Sequence, residues 1–97
     1  MSLTKNTFES IKDKSFEIAF NSKKSTICQL IEVKGINSDT IKEGQTEPFS
    51  LMFETPGDLI YEQNTYRVNN ADLEEFALFL VPVGADENGV RYEAVFT

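Results

Sequence analysis

Apolar residues in the second half of this chain recur at every other position, and that period constrains the fold more than any other feature. Four segments carry it: Phe49–Phe53, Thr65–Val68, Phe76–Pro82 and Tyr92–Phe96. Successive side chains of a strand point to opposite faces, so such alternation marks a half-buried β-strand. Phe49, Leu51 and Phe53 share one parity, Tyr66 and Val68 turn inward, and Tyr92, Ala94 and Phe96 share a face flanked by Val90, Arg91 and Val95. Phe76, Leu78 and Leu80 lie on one parity, while Ala77, Phe79 and Val81 lie on the other. A run apolar on both parities predicts a strand covered on both faces, ended by Pro82.

The first half adds two strands. Phe16, Ile18 and Phe20 alternate with Glu17 and Ala19, which predicts a strand over 15–21. A second strand over 25–34 mixes its parities: Ile27, Ile31 and Val33 on one, Cys28 and Leu30 on the other. Burial of both faces at different points along a long bent strand produces this mixture, as in a small barrel. Before them, residues 1–14 open a short helix capped by Thr4 or Asn6. It is too short to stand alone, and Phe8 and Ile11 share the edge that docks it on the sheet.

Turn chemistry separates these segments. Residues 54–58 and Asn69–Asp72 are polar turns, Leu59–Tyr61 is a short edge element or packed loop, and Gly84–Gly89 is a hairpin loop with Asn88-Gly89 at its tip. Residues 35–47 read as a long loop, of a kind often used for function. Six strands, one helix, no internal repeat and no βαβ pattern give a mostly all-β single domain over 1–97, built as a small antiparallel barrel or sandwich.

Charge narrows the function. Residues 1–42 balance at +2, with seven Lys against five acids; residues 43–97 balance at −9, with two Arg against eleven acids. Phosphate neutralisation drives most nucleic-acid affinity, so this chain is a poor nucleic-acid binder and equally poor at anionic membranes. One cysteine excludes an internal disulfide and fits a reducing compartment. No apolar run approaches a membrane span, and the N-terminus lacks an apolar signal region. The cytoplasm is the expected location, with incorporation into a particle as the other.

The chemistry of a catalyst is sparse. The chain has no histidine, which removes the commonest general base and the usual nucleophile pairs. Cys28 lies within a strand pattern and reads as a buried inert thiol. Asp72, Glu74 and Glu75 could offer carboxylates to a hard cation, and Asp86–Gly89 has a superficial calcium-loop look that hairpin chemistry explains. No cofactor or metal site is expected, and the chain reads as a non-enzyme. Arg67 and Arg91, the only basic residues after Lys42, pair with Glu62, Glu74, Glu75 or Glu93 or serve an interface. Tyr61 and Tyr66 flank the turn 62–64, where tyrosines suit protein recognition or pack as sheet residues.

The order Phe49-x-Leu-x-Phe53, Gln63-x-x-Tyr66-x-Val68, Leu73-x-x-Phe76-x-Leu-Phe-Leu-x-Pro-Val83 and Tyr92-Glu-Ala-Val-Phe96, opened by Leu3-Thr4 and Phe8, resembles a family of small uncharacterised bacterial β domains. That pattern carries a histidine near Asn70 and a glycine near Glu74, and this chain has neither, so a site depending on the histidine does not carry over. The resemblance brings no established activity. Its members' neighbours, phage-tail-like and tail-collar proteins, imply an accessory or assembly role.

Three readings follow. The first is a non-enzymatic interaction module binding a protein or itself, with Tyr61, Tyr66, Arg67, Phe79 and Arg91 as candidate interface residues. The second is a small-molecule-binding barrel with an apolar cavity. The third and weakest is a metal-using enzyme at Asp72, Glu74 and Glu75.

Overall fold

The computed structural model describes residues 5–11, 15–21, 25–35, 48–57 and 59–96, apart from the side chain of Glu74. The helix α1 (Lys5–Glu9) precedes six strands: β1 (Ser15–Ala19), β2 (Thr26–Gly35), β3 (Phe49–Thr55), β4 (Asn64–Asn70), β5 (Leu73–Asp86) and β6 (Gly89–Phe96). They close into an antiparallel barrel in the order β1-β2-β3-β6-β5-β4. Closure gives every strand a neighbour on both sides, although not along its whole length, and so limits the edges that a short aromatic-rich sheet otherwise exposes. The barrel is the realised member of the barrel-or-sandwich pair. Residues 36–47, most of the long loop, lie outside the described residues.

The inward parities are those of the alternation. Phe16, Ile18, Leu30, Leu51, Phe53, Val68, Leu80 and Tyr92 are fully buried along the barrel axis. Val90 and Ala94 join Tyr92 inside, so Val90 belongs to the core rather than to the flanking face. The mixed parity of β2 has a local cause. Its register against β3 shifts between Leu30 and Glu32, so one extra residue passes without a partner. A bulge of this kind exchanges the faces: Cys28 and Leu30 point inward before it, and Val33 packs against the core after it.

β5 differs from expectation in three ways. The strand does not stop at Pro82 but runs to Asp86, so the hairpin loop is only Glu87–Asn88 rather than Gly84–Gly89. Pro82 is tolerated at a register shift between Pro82 and Gly84, where ladder hydrogen bonding is interrupted. The strand is also not covered on both faces: Ala77 is exposed and Phe79 is 54% exposed. The rule for two-sided apolar strands assumes a second layer. Here the described residues place none over that face.

β5 also changes partners along its length. Asn64 to Asn70 of β4 pair with Leu80 back to Leu73, whereas Val81 to Asp86 pair with β6. The first half of β5 and the last residues of β6 are therefore not laddered to each other. Phe8 of α1 fills that seam. Its ring lies 6.0 Å from Phe76 of β5, 5.6 Å from Phe96 of β6 and 5.9 Å from Phe49 of β3. Phe49 and Phe96 stack at 4.5 Å. The helix thus closes one end of the barrel through its Phe8–Ile11 edge. Asn6 lies inside the helix, accepting from the Ser10 N–H, and so does not cap it.

Glycine is required where β6 begins. Gly89 has φ +133, and a Cβ there would stand 1.9 Å from the Thr55 carbonyl oxygen. Gly57 also has positive φ, +89, but faces open space. Gly57→Ala is expected to cost about 1 kcal/mol from backbone strain alone. Gly89→Ala adds a backbone clash between β6 and β3 and is expected to cost at least about 2 kcal/mol more. Urea unfolding of both variants checks this, and equal losses would contradict the close approach.

Candidate functional site

The five residues singled out from the sequence separate into three locations. Tyr61 and Tyr66 belong to the end of the barrel opposite α1. Phe20, at the end of β1, stacks on Tyr61 at 4.4 Å with planes 4° apart, and meets Tyr66 at 4.9 Å and Tyr92 at 5.1 Å. Tyr66 is buried and Tyr61 half-buried. The Tyr66 hydroxyl donates to the Glu62 carbonyl, and the Tyr61 N–H donates to the Tyr92 hydroxyl at 2.8 Å. The segment before β4 is thereby strapped across the barrel end. Tyr66 is a structural tyrosine, packed as the inward sheet residue of the two readings offered by the sequence rather than as an exposed recognition residue. β-Strand parity turns position 66 inward, and its polar end finds a backbone acceptor as a buried tyrosine requires.

The strap holds Leu59 and Ile60 outward, at 59% and 55% exposed. With Ile27, Thr26, Thr55 and Pro56, Leu59 lines an open groove of about 370 Å³ on the outside of the barrel. Alternation could not mark these residues, since Leu59 and Ile60 belong to no strand and Ile27 sits before the bulge in β2.

Arg91 works within the β5–β6 hairpin. Its Nη1 donates to Asp86 Oδ2 at 2.8 Å and lies 3.8 Å from Glu54 Oε2. The hydrogen bond from Arg91, followed by that from the Asn88 N–H, holds the Asp86 carboxyl below its ordinary range. Among the described residues its partners are thus Asp86 and Glu54 rather than Glu62, Glu75 or Glu93, and the Glu74 side chain lies outside the described residues. The two-residue hairpin loop brings Asp86 within reach, a closeness that a longer loop would not give. Arg67 pairs as expected with Glu75, at 3.9 Å between well-exposed side chains. Such a pair contributes at most about 1 kcal/mol.

Phe79 lies on the outer face of β5, opposite Thr65 of β4. Ala77, Phe79, Val81 and Val83 follow one another along the outside of that strand, and Val83 is 48% exposed. Four outward positions span roughly 20 Å of strand. Val95, 54% exposed, is a further outward apolar residue on β6, two positions after Glu93, which faces Val81. Arg67 borders the β5 row, opposite Ala77. Of the five residues, Phe79 and Arg67 are therefore neighbours on one surface, while Tyr61, Tyr66 and Arg91 are elsewhere. A monomer rarely leaves such a contiguous apolar surface without use.

The other two chemistries are placed as follows. The barrel axis, where the alternative small-molecule reading requires a cavity, carries the buried side chains of the core among the described residues. Asp72 lies in the β4–β5 turn, with its N–H bonded to Asn70 Oδ1 at 2.8 Å, and Glu75 faces Arg67. Among the described residues no three His, Cys, Asp or Glu side chains gather as a metal site, and no helix is long and apolar enough to cross a membrane.

Cys28 is buried, and burial pushes its thiol up from 9.0 to about 12. Burial likewise raises Tyr92 and Tyr66. Each is neutral in the fold and ionises more readily when unfolded, so the unfolded chain loses protons first as pH rises. For Cys28 the effect is absent below pH 9, and stability falls between about 9 and 12 at up to roughly 1.4 kcal/mol per pH unit; the two tyrosines act in the same direction at higher pH, above their ordinary value of 10.0. Denaturation at pH 8, 9, 10 and 11 is expected to show that fall, with Cys28→Ala reducing its slope. An unchanged slope in Cys28→Ala would place the thiol outside the core.

Residues 3–96 match the family model described as a domain of unknown function, DUF6916, and the chain belongs to that family. Comparison with curated proteins and with solved structures finds no match.

Proposed function

We propose that this DUF6916 domain is a non-enzymatic interaction or assembly module that docks through the outer face of β5. The carrying observation is the outward row Ala77, Phe79, Val81 and Val83 on β5, with Val95 exposed on β6, on a barrel whose described inward side chains form one buried core. Core-forming residue types on an outer face cost solubility, and interfaces are where aromatic residues recover that cost. The lack of histidine and the burial of the sole thiol support a binding role over catalysis.

The resemblance to small bacterial domains found beside phage-tail-like proteins extends this reading to an accessory role in such a particle. The partner is then a protein of the particle or another copy of the chain, met in the cytoplasm during assembly. Rigidity suits the role, because a closed barrel presents its outer face without reordering, and little conformational entropy is lost on docking.

A photo-crosslinking side chain at position 79 tests the reading in the native cell. Gln29, outward on β2, is the control position. A discrete crosslinked product is expected from position 79 and none from position 29. Equal products from both, or none from position 79, would refute docking through this face.

A further inference from the structure

We infer that the outer β5 face takes a cationic apolar segment: a partner stretch whose apolar side chains cover Phe79 and Val81 and whose Lys or Arg residues meet the acidic margin. The inference rests on the docking reading above and adds the chemistry of the partner.

Charge decides between occupants. Residues 43–97, which form β3 to β6, carry eleven acids against two arginines. Both arginines are engaged, Arg67 with Glu75 and Arg91 with Asp86 and Glu54. Glu93 stands directly opposite Val81 and next to Val95 along β6. Glu75 lies two positions before Ala77 on the same outer row of β5. Lys34 is two strands away from Val95, across Ser50. Among the described residues the apolar row is therefore margined by Glu93 on β6 and by Glu75 on β5, the latter facing Arg67 across the β4 side.

A second copy fits this surface poorly. Each chain carries a net charge of −7, and face-to-face pairing would bring two acidic margins together. Like charges in an interface oppose association, whereas opposite charges speed encounter and fix register. A basic segment gains twice, because its ammonium or guanidinium groups also lie favourably over an exposed ring such as Phe79.

Three labelled peptides test the inference against the full chain by fluorescence anisotropy. One has a valine-leucine core flanked by lysine pairs. The second has the same core flanked by glutamate pairs, and the third has a serine core flanked by lysine pairs. The first is expected to bind, at least about tenfold more tightly than either of the others in ~20 mM salt, and to weaken several-fold near 300 mM as screening rises. Phe79→Ser is expected to lose about tenfold at both salt levels, and Glu93→Lys to lose affinity mainly at low salt. Binding of the glutamate-flanked peptide as tightly as the lysine-flanked one, equal binding of the serine-core peptide, or no binding of any, would overturn the inference. So would Phe79-dependent dimerisation of the chain itself at high salt. In each of those cases a position-79 crosslink would leave the docking face standing and remove only its cationic partner.

Discussion

Phe8 is the contact on which the rest of the barrel depends. β5 gives its first half to β4 and its second half to β6, so one part of the ring has no ladder to hold it. A single fully buried ring bridges that part, touching rings on β3, β5 and β6. Each aromatic pair adds about 0.5–1.5 kcal/mol beyond the burial of its area. The five-residue helix that carries Phe8 is too short to persist alone. Helix and seam therefore stabilise each other. The opposite end is closed by a second aromatic group, Phe20 with Tyr61, Tyr66 and Tyr92, whose two hydroxyl contacts strap the chain ahead of β4.

These closures explain why the outer face of β5 is free. With both ends and the axis filled from within, no helix or loop among the described residues is left to cover the strand from outside. In the reading proposed above, a partner supplies that layer, and the acidic margin selects a basic one.

Strand parity made most of the architecture legible in the sequence. Phe16 and Ile18, Leu51 and Phe53, Tyr66 and Val68, and Tyr92 and Ala94 all face inward as alternation requires. The mixed parity of β2 likewise recorded burial of both faces at different points, and the bulge after Leu30 is its cause. Where parity misled, the cause was local. Pro82 looked like a strand end, but a bulge accommodates it within β5. The two-sided run 76–81 looked buried because periodicity records apolarity and not what covers it. Of the candidate site, the parity of Phe79 opposite to Leu78 and Leu80 was legible, but its exposure was not. Leu59 and Ile60 were not legible, because their exposure comes from tyrosine hydroxyls fixing a segment without period.

The central claim is that β5 divides its apolar residues cleanly, with Leu78 and Leu80 inside and Phe79 outside. A soluble paramagnetic gadolinium chelate tests it directly in solution, because it accelerates relaxation of protons that reach solvent. The account predicts strong enhancement of the Phe79 ring and the Val95 methyls, with the methyls of Leu78 and Leu80 unaffected. Protection of Phe79 to the level of Leu80 would contradict it.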